Sequence, residues 1–99
     1  MPAPVLVGDE PAVWIPAGVG PYSAASRAER ISARIRDLVR DRSIKDLSVT
    51  VTEAGGASEL RVGTRLVMAV TQNDAATLGV SRVSLAQQLA SELQGAMQA

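Results

Sequence analysis

The spacing of apolar residues changes along this chain, and that change constrains its fold more than any other feature. Ala28, Ile31, Ile35, Leu38 and Val39 fall within a sector about 100° wide when plotted at about 100° per residue, the pattern of an amphipathic helix. From Leu47 the period drops to two. Leu47, Val49 and Val51 share one face, and Ser48, Thr50 and Thr52 share the other. From Leu85 helical spacing returns, with Leu85, Ala86, Leu89, Leu93 and Met97 on one face and Gln87, Gln88, Ser91 and Glu92 facing out. A helix period does not sit as a strand, nor a strand period as a helix, so both kinds of element must share one core.

Turn residues divide the rest. Val5-Leu6-Val7 and Ala12-Val13-Trp14-Ile15 flank Gly8-Asp9-Glu10-Pro11, which predicts a β-hairpin whose prolines keep it at an edge. Ala17-Gly18-Val19-Gly20-Pro21 is a loop without the Lys-Ser or Lys-Thr of a phosphate-binding loop. Ser23 or Ser26 opens the first helix, Ser26-x-x-Glu29 fits a capping box, and the helix is expected to end near Arg42-Ser43. Gly55-Gly56 and Gly63-Thr64 are turns between strands. The more apolar segment from Arg65 to Thr71 is expected to be a central strand. Asn73 or Asp74 caps a short turn that Gly79 stops, and Ser81 caps the last helix. The resulting order is β-β-α-β-β-β-α. The expected class is α+β: an antiparallel sheet of about five strands with two helices on one face, the other face left for solvent or a partner.

At 99 residues, one domain spanning 1–99 is expected. Apolar residues make up 46%, but 16 of them are Ala and the only aromatics are Trp14 and Tyr22, so Val, Ile and Leu must build the core. The chain has neither His nor Cys, which excludes thiolate and imidazole catalysis, disulfides, haem ligation and zinc-finger chemistry within it. A Ser-Lys dyad would need Lys45, the single lysine, and no pair of carboxylates is spaced for acid–base work. The adjacent acids Asp9-Glu10 read as a solvated turn. No catalytic, cofactor-binding or metal-binding residue is therefore expected, no small-molecule substrate is indicated, and the chain is not expected to be an enzyme.

Basic and acidic residues number 10 each, but the segment from Arg27 to Lys45 holds seven basic and three acidic residues, a net of +4. Acids among the arginines mark a solvated helix face, and without an aromatic platform no nucleic-acid partner is expected. The longest apolar run, Leu66–Val70, falls well short of the ~20 residues of a membrane span, so no membrane insertion by this segment is expected. Met1-Pro2-Ala3-Pro4 lacks the regions of a signal peptide and reads as the lead of a segment from a longer protein. Arg27, at the edge of the apolar sector, and Asp74, at an element junction, are a candidate structural ion pair. Asp74 acting only as a helix cap is the alternative.

Two blocks of sequence resemble a known pattern. The first is Gly20-Pro21-Tyr22-Ser23, Arg27-Ala28-x-x-Ile31 and Arg34-Ile35. The second is Val70-Thr71-Gln72-Asn73-Asp74-Ala75, Leu78-Gly79, Ser81-Arg82 and Leu85-Ala86. In order and spacing they are similar to the N-terminal extramembrane, periplasmic region of bacterial small-conductance mechanosensitive channels. Ala24-Ala25-Ser26 departs from the acidic residues that family often places after the helix-opening Ser. The resemblance implies an extracytoplasmic position in a membrane protein, with the C-terminal helix leading toward the membrane. It implies a non-catalytic accessory or sensing role whose partners are the remainder of the channel chain and neighbouring subunits. The alternative is an independent small soluble binding module that uses an exposed sheet face or edge.

Overall fold

Gly8 reverses the chain between β1 (Ala3–Val7) and β2 (Glu10–Ile15), which pair antiparallel with Val5 opposite Val13 and Ala3 opposite Ile15. These four residues are buried, whereas Trp14 faces solvent. The computed structural model describes residues 1–99.

The first helix, α1, is Ala24–Arg40. Ser23 caps it, its Oγ accepting from the Ser26 amide at 3.1 Å. Ser26 thus lies inside the first turn, and the expected Ser26–Glu29 box does not form. The helix also stops earlier than expected. The Asp41 carboxylate accepts from the Ser43 amide at 3.0 Å and the Ser43 hydroxyl at 2.6 Å, a local turn that competes with another helical turn. Ala24, Ala28, Ile31, Ile35 and Leu38 are buried along α1. Val39, at the rim of the apolar sector, is 48% exposed instead of joining them.

Three further strands form a second antiparallel sheet in the order β3 (Thr50–Ala54), β4 (Ala57–Val62), β5 (Arg65–Val70). Leu47, Ser48 and Val49 stay outside β3, because the Val49 amide donates to Gln94 Oε1 at 2.8 Å on the last helix. The central strand is β4, not β5. The strong apolar character of β5 reflects cover by helices, and it places Val67 and Met68, adjacent in sequence, both in the core. An irregularity in the β4–β5 register, between Leu60 and Arg61, lies opposite this pair.

Two short turns of helix, α2 (Gln72–Leu78), end at Gly79 with φ 68°, and α3 (Arg82–Gln98) follows, capped by Ser81. The class is α+β, and the element order agrees with the sequence pattern, the short turn being α2. The single five-stranded sheet is instead two sheets, of two and three strands. Pro4 and Pro11 remove amide donors from the hairpin, so its edges are poor templates for further pairing. The sheets are joined through side chains. α1 packs on the hairpin and against β5, while α3 touches β2 and all three strands of the second sheet. One cluster of 21 buried apolar residues contains both helix stripes. No helix is long and apolar enough to cross a membrane.

Candidate functional site

Arg27 projects from the first turns of α1 into the junction between the two halves of the molecule. Its Nη1 donates to Asp74 Oδ1 and to the Ala17 carbonyl, both at 2.7 Å. Its Nη2 donates to Asp74 Oδ2 at 2.9 Å and the Ala69 carbonyl at 3.2 Å. One guanidinium thereby ties α1 to the loop before it, to β5 and to α2.

Asp74 is only 2% exposed and carries two duties at once. Besides Arg27, its Oδ2 accepts from the Thr71 amide at 3.0 Å, and the Asp74 amide donates back to Thr71 Oγ1 at 3.1 Å. This is a complete capping box for α2. Thr71, not Asn73 or Asp74, is the N-cap, and α2 starts at Gln72, ahead of the expected Ala75; Asp74 supports that cap from the third helical position while pairing with Arg27. Burial pushes the Asp74 carboxyl up, but the Arg27 hydrogen bonds and the Thr71 amide outweigh it and hold the group below the ordinary Asp range.

The loop that presents Ala17 is closed by reciprocal backbone hydrogen bonds between Val19 and Tyr22, at 2.8 and 3.0 Å. Gly18 is needed there for space: a Cβ on it would lie 2.6 Å from the Tyr22 carbonyl oxygen.

A second arginine fastens the start of α3. Arg82 Nε donates to Ser58 Oγ at 3.2 Å, Nη1 to the Gly56 carbonyl at 2.6 Å and Nη2 to Glu53 Oε1 at 2.7 Å. The buried Ser58 hydroxyl donates to Glu53 Oε2 at 2.6 Å. Ser58 and then Arg82 hold the Glu53 carboxyl below its ordinary range. No periodicity marks Arg82, Ser58 and Glu53 as a group. Glu53 and Ser58 meet across the β3–β4 register, which the sequence leaves implicit.

Between α1 and β5 lies a groove of about 240 Å³. Val19, Ile31, Leu66 and Met68 line it, with Tyr22, Arg30 and Arg34 alongside. The Arg30 guanidinium sits 4.6 Å from the Tyr22 ring centroid. Arg34 Nη1 donates to the Val67 carbonyl at 3.2 Å. Arginines from α1 thus hold carbonyls of an edge strand that has no neighbour on that side. Sequence reading missed this groove, since its walls come from a loop, a helix and a strand far apart in the chain.

The other sequence candidates fall as follows. Ile31, Ile35, Leu38, Leu85, Leu89 and Leu93 are all buried in the common core. Asp9 and Glu10 are exposed at the hairpin turn, and Lys45 is exposed on the loop after α1. No group of three or more acidic residues converges where a metal ion would be held.

The sequence pattern of a family described as "Domain of unknown function (DUF8459)" matches residues 4–99, nearly the whole chain. No curated protein and no solved structure matches it.

Proposed function

The chain belongs to the DUF8459 family, and we propose that it serves as a non-catalytic extracytoplasmic accessory or sensing domain of a mechanosensitive-channel-type membrane protein, with α3 leading toward the membrane. One observation carries this reading. The two sequence blocks that resemble the periplasmic region of small-conductance mechanosensitive channels meet at the Arg27–Asp74 pair. Several of their other residues are fasteners too: Ser23 and Ser81 cap α1 and α3, Arg82 anchors α3, and Leu85 and Ala86 are buried. The resemblance thus includes the residues that join elements together, as a module working through its rigidity requires.

In this role α3 is the connecting element. Leu85, Leu89, Leu93 and Met97 bury one side of it, and Arg82 ties its first turn to β3 and β4. A close-packed core has low compressibility, so displacement of the far end of α3 moves the body instead of being absorbed locally. The expected partners are the rest of the same channel chain and neighbouring subunits, which the domain would brace or bias.

The test is made on the native protein in its source cells. An antibody against this chain is expected to detect an antigen larger than 10.3 kDa in the inner-membrane fraction, cleaved by protease added to the periplasmic side. Patches from cells expressing the gene should carry a tension-gated conductance that a deletion strain lacks. A soluble antigen of 10.3 kDa would overturn this reading in favour of an independent binding module.

A further inference from the structure

We propose that the groove between α1 and β5 docks an extended acidic segment of a partner protein, of the pattern acidic–apolar–acidic. This inference does not depend on the channel reading.

The charge balance of the groove comes first. Arg27 borders it, but Asp74 neutralises that guanidinium. Arg30 and Arg34 have no such partner: neither is in an ion pair, and no carboxylate lines the groove. The only hydrogen bond from the Arg34 side chain goes to a neutral carbonyl, that of Val67. Arg30 is held on the Tyr22 ring with its N–H groups unspent. A carboxylate offers each guanidinium charge-assisted, two-pronged bonds stronger than those it now makes. The cationic groove thus complements an anionic ligand.

Shape and spacing narrow the ligand. Arg30 and Arg34 stand one helical turn apart, about 5–6 Å between neighbouring positions. Alternate residues of an extended chain lie on one side about 6.6 Å apart, since each residue advances roughly 3.3 Å. Two acids flanking one residue therefore match the spacing at which the helix sets out the two arginines. The residue between them faces the apolar groove wall at Leu66 and Ala69, both half-buried on β5. Strand addition on β5 is disfavoured, because the Val67 and Ala69 carbonyls are already taken by Arg34 and Arg27. Single-stranded nucleic acid is disfavoured as well, because Arg30 already covers the face of Tyr22 on which a base would stack.

The experiment is an amide NMR titration of the 99-residue chain. The probe is the blocked peptide Glu-Leu-Glu-Leu-Glu, against its Gln-Leu-Gln-Leu-Gln counterpart. Saturable shifts at Tyr22, Leu66 and Met68 are expected with the acidic peptide, with affinity at least about tenfold weaker for the Gln peptide and for the Arg30→Gln/Arg34→Gln variant. Both arginines are exposed, so that variant should keep the wild-type spectrum elsewhere. Equal affinity for the two peptides, shifts confined to other regions, or no saturable shift at millimolar peptide would overturn the proposal. So would phosphatidylglycerol vesicles perturbing the groove amides when the acidic peptide does not.

Discussion

Arg27 and Asp74 stand 47 positions apart in the sequence and meet through two hydrogen bonds, of 2.7 and 2.9 Å. The pair closes the junction between the half of the molecule built on the hairpin and the half built on β3–β5. Its members are unequal. Arg27 has backbone carbonyls as further acceptors, whereas Asp74 is a buried charge whose other partner is the Thr71 amide. Removing the arginine leaves a buried carboxylate undercompensated. Arg27→Ala is expected to cost about 3 kcal/mol of unfolding free energy at neutral pH, measured by urea denaturation. Asp74→Asn should cost less, since an amide oxygen still accepts from Thr71.

The same carboxylate makes stability depend on acid. Its pKa is depressed in the folded protein, so its contribution is complete above the ordinary Asp value and is lost as pH falls through the folded value. The urea midpoint should therefore decline as pH drops from about 5 toward 2. The decline should be shallower in Asp74→Asn. Identical slopes in the two proteins would mean that Asp74 does not carry the dependence.

Much of the fold is legible in the sequence, and the parts that are not share a cause. Ile31, Ile35, Leu38, Leu85, Leu89 and Leu93 are readable as core because a helix repeats its face over many residues. Edge or central position in a sheet has no such signal. β5 is as apolar as a central strand because α1 and α3 cover it, and a sequence does not reveal which element supplies the cover. Ser23 and Ser26 are both good caps by residue type, and the Val19–Tyr22 closure just before Ser23 accompanies a helix that starts at Ala24. Of the candidate site, Arg27 and Asp74 stand out through their positions at element borders. The Arg82–Ser58–Glu53 cluster and the Arg30–Arg34 groove depend on pairings between distant segments.

Core and surface apolar residues of α3 should separate cleanly. Leu93 is fully buried, whereas Val83 is 46% exposed. Leu93→Ala is expected to cost about 2–5 kcal/mol and Val83→Ala within about 0.5 kcal/mol, by thermal or urea unfolding. Similar losses for both would place the α3 stripe elsewhere.

Two glycines resist substitution for different reasons. Gly79 holds φ 68° at the end of α2, so Gly79→Ala should cost about 1 kcal/mol through backbone strain alone. Gly18 has no such φ, but its missing Cβ leaves room for the Tyr22 carbonyl. Gly18→Ala should displace the 17–22 loop, seen as amide shifts reaching Arg27. Shifts limited to immediate neighbours would show that the loop accommodates the methyl.

The most direct test of the fastening role is a double-mutant cycle on Arg27→Ala and Asp74→Ala in urea unfolding at neutral pH. A coupling free energy above about 1 kcal/mol is expected, because each side chain loses its main partner when the other is removed. A coupling near zero would mean that the two halves of the molecule are held together without this pair.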